Sequence, residues 1–287
     1  MAHQPGAQFR TKGKLMSDRI LRRRRAAFAA GLATLGLAMG LAVPAEAARP
    51  TAYVALGDSY AAGVGGGSYQ DLDCFRSENG YPAEADESKS VRLAANAACS
   101  GATIADVTTK QLERLNTGIT LVTITAGGND INSTAVLFTC VPDPASTQCA
   151  QAFGSAIAMI GQVEGRVVDM VEDVRAQAPE AKIVLTGYPY LFDPSNGRTP
   201  EEVAFMTNVN AAIAELNGAI ARGAETSDAE FVDVTDEFAD HAANSLVPWI
   251  NGPGAGPIEA FHPNAAGYQA YHLALAAAEA YSTPTTP

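Results

Sequence analysis

The sequence predicts a three-layer α/β fold on a parallel sheet, from three observations. Short β-prone runs recur along the chain without polar alternation, as strands buried on both faces require. Three of these runs lead directly into glycines, at Gly57, Gly127-Gly128 and Gly187. Segments of helical period lie between them, and strand–helix alternation favours a parallel sheet covered on both sides.

The strands are expected at Thr51 to Leu56, Leu121 to Thr125, Ile183 to Thr186 and Phe231 to Val234, with a weaker one near Val91 to Ala95. Ala150 to Gln177 carries Phe153, Ile157, Ile160, Val163, Val167, Val168, Val171 and Val174 close to helical period, and Pro179 closes it. Thr199-Pro200-Glu201-Glu202 opens another helix, with Thr199 as N-cap and Pro200 at the first position; it is expected to run to about Arg222. Asn264 caps a last helix, Ala265 to about Tyr281. Neither a repeat nor a second domain is evident. In such folds ligands bind beyond the carboxyl ends of the strands.

The first 47 residues read as a cleaved signal peptide, leaving one domain over 48–287. They hold eight Lys/Arg, including Arg22 to Arg25, followed by an uncharged stretch from Ala26 to Val43 and the small residues Ala45 and Ala47. A basic flank, an apolar stretch and a small-x-small site together make an export signal. The arginine run leaves both the general and the twin-arginine route open. Without residues 1–47, Lys and Arg fall from 19 to 11 and Asp and Glu from 31 to 29, a net charge of −18. That charge disfavours nucleic acid and anionic membranes as partners. A secreted, extracellular protein with no stable membrane anchor after cleavage is expected.

Four cysteines follow the signal: Cys74, Cys99, Cys140 and Cys149. An even count in an exported chain reads as two disulfides, for which three pairings exist. Cys74–Cys99 and Cys140–Cys149 are favoured because each closes a segment without obvious secondary structure. No C-x-x-C and no histidine cluster supports a metal.

The chemistry sits at strand ends. Gly57-Asp58-Ser59-Tyr60 follows the first strand, so Ser59 lies at the mouth of the expected cleft, where a following helix offers free N–H groups to an oxyanion. A capping Ser or Asp in an ordinary βα turn is the alternative. Cys99-Ser100-Gly101 follows the weaker strand, and Gly101 can aim its N–H unobstructed or simply serve a turn. Gly127-Gly128-Asn129-Asp130 follows the next strand and supplies an amide donor at Asn129; no G-K-[ST] follows, so a phosphate loop is disfavoured. His262 lies in the loop Glu259-Ala260-Phe261-His262-Pro263-Asn264; His241 is a weaker candidate, and His272 falls within the last helix.

Taken in order, Gly57-Asp58-Ser59, Gly101, Gly127-Gly128-Asn129-Asp130 and His262 resemble the four short blocks of the SGNH hydrolases, also called GDSL esterases and lipases. The resemblance spans about Tyr53 to Gly267 and is strongest to the secreted actinobacterial lipases and esterases. It implies a flavodoxin-like α/β/α sandwich with about five parallel strands, and ester hydrolysis without a cofactor. It also implies Ser59 as nucleophile and His262 as base, with Ser59 N–H, Gly101 N–H and the Asn129 amide as oxyanion hole. Asp58 is expected to support the turn rather than react.

The chain departs from the family at two places. Most members carry Asp three residues before the histidine, where this chain has Glu259. Either the Glu carboxylate reaches the imidazole or a backbone carbonyl in the loop orients it; the loop before His-Pro-Asn favours the carbonyl. The third disulfide of related secreted enzymes lacks both ends, near His241 and near Asp193, so two complete bridges and no free thiol are expected. The substrate is expected to be a small-molecule or lipid ester, with acetyl-xylan-type or phospholipid esters as alternatives on the same scaffold. An apolar groove would favour lipid. Aromatic sugar platforms, drawn from Tyr69, Tyr81, Tyr188, Tyr190, Phe192 and Trp249, would favour polysaccharide. A catalytically idle binding protein has no reason to keep all four blocks in order.

Overall fold

A computed structural model describes residues 49–282; the expected signal peptide lies outside them. Five parallel strands form one sheet in the order β2-β1-β3-β4-β5. They are β1 (Thr51–Gly57), β2 (Val91–Asn96), β3 (Leu121–Thr125), β4 (Lys182–Thr186) and β5 (Glu230–Val232). Every expected strand is present within one or two residues at each end. The strand order reverses between β1 and β3, the place where open α/β sheets leave a crevice at their carboxyl edge.

The helices are α1 (Ser59–Ala62), α2 (Tyr81–Asp86), α3 (Ile104–Asp106), α4 (Ser133–Cys140), α5 (Thr147–Ile160), α6 (Val163–Gln177), α7 (Pro200–Thr226) and α8 (Ala265–Ala277). Helix α6 packs on α7 and α3, while α2 packs on α8. Tyr53 to Leu56, Val122, Val184 and Leu185 are buried between these layers.

The single helix expected over 150–177 is instead two. The apolar period runs on through the break, but α5 ends at Gly161 and α6 starts at Val163. Gly161 is a poor helix former, so it is a low-cost place to turn. Helix α7 runs past Arg222 to Thr226 because Gly223 lies flat on α6: a Cβ there would meet Val167 Cγ1 at 2.6 Å. Thr199 caps α7, its Oγ1 accepting from Glu202 N at 3.2 Å. Helix α8 stops at Ala277, short of Tyr281.

The disulfides join Cys74 to Cys99 and Cys140 to Cys149, and no cysteine is free. The expectation that each bridge closes a segment without secondary structure fails for both: the first spans α2 and β2. Cys140 ends α4 and Cys149 lies in the first turn of α5, so the second bridge joins two helices rather than closing an unstructured loop.

Gly57 lets β1 end where it does. Its φ of +127° is a backbone conformation that side chains resist, and an added Cβ would lie 2.1 Å from the Thr125 carbonyl oxygen. The buried Gln111 amide holds this glycine from the other side, with Oε1 accepting from Gly57 N (2.8 Å) and Nε2 donating to Gly57 O (2.9 Å). Gly57→Ala must therefore push β1 and β3 apart. It is expected to cost at least about 3 kcal/mol, measured by urea denaturation, whereas Gly101→Ala, with open space around its Cβ, should cost about 1–2 kcal/mol for its φ of +81°. Equal costs at the two positions would refute the steric account.

Candidate active site

The chain leaves β1 through Gly57, and Asp58 caps the short helix α1 with Oδ1 accepting from Tyr60 N at 3.0 Å. This turn sets Ser59 at the carboxyl edge of the sheet, nearly buried. The His262 loop comes from the other end of the domain. Its backbone pairs with 249–251: Asn251 N donates to His262 O (2.8 Å), Phe261 N to Asn251 O (2.8 Å) and Asn264 N to Trp249 O (2.9 Å). The buried Tyr60 hydroxyl donates to Phe261 O at 2.7 Å and fixes the inner side of the loop.

His262 Nε2 lies 2.7 Å from Ser59 Oγ. Its Nδ1 lies 3.1 Å from Ala260 O. A carbonyl can only accept, so Nδ1 carries the proton and Nε2 is left to accept from the serine hydroxyl. Burial disfavours the imidazolium and lowers this pKa to about 4, while the backbone carbonyls of 258–260 and the nearby Glu259 charge act the other way. Glu259 does not hydrogen-bond the imidazole; its Oε1 accepts from the Tyr69 hydroxyl at 2.7 Å.

Gly101 is exposed to the cleft, and Asn129 opens a short helical turn after Gly128. Asn129 Nδ2 donates one N–H to Ala102 O at 2.9 Å, which leaves its second N–H for a ligand. Among the described residues neither Ser59 N nor Gly101 N donates to a protein acceptor. Ser59, Gly101 and Asn129 line the same cleft. Two residues that the sequence reading passed over tie their loops. Buried Asp130 accepts from Ile104 N (2.9 Å) at one oxygen and from Arg166 (3.1 Å) at the other, joining the Gly101 and Asn129 segments to α6. Asp130 adjoins Asn129 in sequence and could have been suspected. Arg166, one charge on a long helix, gave no signal.

Asp58 is buried, and desolvation pushes its pKa up to about 7 against the hydrogen bonds from Tyr188 and Tyr60. Its Oδ2 accepts from the Tyr188 hydroxyl at 2.6 Å, and the Tyr188 hydroxyl oxygen in turn accepts from Gly128 N at 3.0 Å. Tyr188 therefore joins the serine turn to the loop before Asn129. His241 stacks on Trp249 (3.6 Å between ring centroids), and His272 contacts Tyr281; neither reaches the site.

Beside Ser59 opens a cleft of about 290 Å³. Its floor is apolar, with Ile131, Leu137, Phe153, Leu191, Ile213 and Leu216 contributed mainly by α4, α5 and α7. Of the six aromatic residues considered as sugar platforms, only Tyr190 is exposed. Tyr81 is buried against Thr125, and Phe192 packs on Phe261 and Phe205. Among the described residues no group of three or more His, Cys, Asp or Glu is placed to hold a metal ion. No helix there is long and apolar enough to cross a membrane.

The chain has recognisable relatives among known proteins. A profile described as the GDSL-like lipase/acylhydrolase family matches residues 55–270. The chain belongs to that family. It is 36% identical to a lipase of Streptomyces rimosus over 263 residues, which is 88% of this chain and 97% of the relative. The structure of the extracellular lipase from Streptomyces rimosus superposes with a TM-score of 0.74 at 34% identity, covering 79% of this chain and 99% of the other. That of phospholipase A1 from Streptomyces albidoflavus NA297 gives 0.72 at 34% identity, with the same coverage. The chain is therefore an ester hydrolase of the GDSL lipase/esterase type, on the α/β fold of its lipase relatives.

Tyr188→Phe in this hydrolase leaves Asp58 Oδ2 and Gly128 N–H without partners in a buried place. A loss of about 1–3 kcal/mol is expected, read as a lower urea midpoint. An unchanged midpoint would mean that the Tyr188 bridge carries no stability.

Proposed function

We propose that the chain is a secreted serine carboxylic-ester hydrolase that acts on lipid esters through an acyl-enzyme on Ser59. The observation that carries this reading is the 2.7 Å approach of His262 Nε2 to Ser59 Oγ, with Nδ1 held by a carbonyl rather than by a carboxylate. His262 takes the hydroxyl proton as Oγ attacks the ester carbonyl. The C–O bond to the alcohol then breaks, and the same proton passes to the departing alkoxide. Water, deprotonated by His262, releases the acyl group and restores the serine. Ser59 N, Gly101 N and Asn129 Nδ2 receive the oxyanion; in known cases one such donor is worth about 2.7–4 kcal/mol. His262 is oriented by the Ala260 carbonyl, so the reacting pair is a dyad.

The apolar floor of the cleft takes the acyl chain, and the scarcity of exposed aromatic rings disfavours a polysaccharide. The relative named phospholipase A1 makes phospholipid a specific candidate. Residues 1–47 are the cleaved signal and 48–287 the single hydrolase domain. The two disulfides and a relative named as extracellular support export.

A fluorophosphonate probe should label the wild type and leave Ser59→Ala unlabelled; equal labelling of both would refute the nucleophile assignment. On p-nitrophenyl esters of graded length, kcat/KM should rise from acetate to longer chains and exceed the rate on acetyl-xylan. A preference for acetyl-xylan would transfer the reading to a carbohydrate esterase.

The acid limb of the pH profile is also fixed in sign. The base must be neutral, and burial lowers the His262 pKa to about 4 from a usual 6.5. Activity should hold as pH falls through 6.5 and be lost only nearer 4. A kcat/KM midpoint at or above 6.5 would contradict the burial account.

A further inference from the structure

We propose that Tyr69 is a positioning residue for His262, acting through a closed ring of hydrogen bonds that includes Glu259, Gly65 and Asn251. The proposal rests on His262 being the base.

Gly65 N donates to the Tyr69 hydroxyl oxygen at 2.9 Å, and that hydroxyl donates to Glu259 Oε1 at 2.7 Å. The Glu259 carbonyl accepts from His262 N at 3.2 Å. The ring closes through Asn251, whose backbone N donates to His262 O at 2.8 Å and whose Nδ2 donates to Gly65 O at 3.1 Å. Both backbone polar groups of Gly65 are thereby engaged, one by each half of the ring.

Gly65 lies against the histidine loop. Its φ is +91°, and an added Cβ would lie 2.6 Å from Pro263 O and 3.0 Å from His262 Cβ. The loop after α1 thus touches the histidine loop directly, and the Tyr69–Glu259 bond clips the two together. Tyr60 grips the histidine loop from within, through Phe261 O. Tyr69 holds it on the other side. Such a second grip matters here because Nδ1 has one neutral acceptor, Ala260 O, and a carbonyl tethers a ring more weakly than a carboxylate does.

Glu259 keeps the position of the family's usual aspartate but spends its carboxylate oxygen on a phenol. Its role in orienting the base is therefore indirect, through Tyr69. What the ring needs from residue 259 is an acceptor; a full charge is secondary.

The test is steady-state kinetics on p-nitrophenyl butyrate, with active sites counted by fluorophosphonate titration. Tyr69→Phe should lower kcat per titrated site about ten- to hundredfold, with KM changed by less than about twofold. Glu259→Ala should lose about as much, and the double variant no more than the worse single, because both break one ring. Glu259→Gln keeps the acceptor and should lose less than about tenfold. A purely structural role would lower the titrated fraction or the Tm and leave kcat per site alone. Turnover per site within about threefold of wild type in Tyr69→Phe would overturn the proposal, as would independent, multiplying losses in the double variant. A loss near a thousandfold in Glu259→Gln would overturn it in favour of the charge itself. Absence of probe labelling in the wild type would instead refute the serine mechanism, so the two failures are distinguishable.

Discussion

The site depends on how the chain leaves β1. Gly57 sits with φ of +127° against the Thr125 carbonyl, too close for any side chain, and Asp58 N then donates to that same carbonyl at 2.8 Å. The pairing of β1 with β3 and the direction of the serine turn are thus set by one contact. The cleft follows, because the strand order reverses at this pair of strands. Tyr188 extends the constraint by joining Asp58 to Gly128, so the serine turn and the loop carrying Asn129 are tied together. A preorganised oxyanion site requires that kind of stiffness, since donors that must reorient lose much of their effect.

Hydroxyls do much of the joining. Tyr60 reaches Phe261 O, Tyr188 reaches Asp58, Tyr268 donates to Val64 O (2.7 Å) and Tyr271 to Gly187 O (2.6 Å). Each phenol is buried, and burial holds its pKa above the usual value, so each stays a neutral donor. A neutral donor escapes most of the desolvation penalty that an ammonium or guanidinium would meet at the same depth. Loops separated by as many as 204 residues in sequence are held by groups that bring no competing charge to the cleft.

The strands and the four candidate site positions were legible in the sequence, for different reasons. A strand buried on both faces must be a short apolar run, and few alternatives produce one. Ser59, Gly101, Asn129 and His262 were legible because each stands in a short local block after a strand or before a helix. The break at Gly161 was not, since helical period continues through it and only the packing of the two halves separates them. Helix α4 was missed because its sequence, Ser133–Cys140, has no helical stripe. Gln111 and Arg166 were missed as site residues because their partners are 54 and 36 positions away, and nothing local marks such a pairing; Tyr188 was named only as a possible sugar platform, its partner Asp58 lying 130 positions away. Glu259 was read as a possible partner of His262 because it stands where most family members carry an aspartate; that resemblance cannot say that Tyr69 reaches it first.

In the proposed mechanism that last point separates two tasks that one carboxylate often performs together. Orienting the imidazole falls to the Ala260 carbonyl and to the loops around it. Stabilising the imidazolium falls partly to a Glu259 charge that is near but not bonded to it. The two tasks pull the base in opposite directions. A neutral acceptor leaves in place the low pKa that burial gives His262, so Nε2 is unprotonated across the neutral range but weak at drawing a proton from serine. A bonded carboxylate would strengthen the base and also trap its proton at higher pH. With the carboxylate held one bond away on Tyr69, the imidazole keeps its tautomer and its readiness, and receives only as much opposite charge as the distance allows.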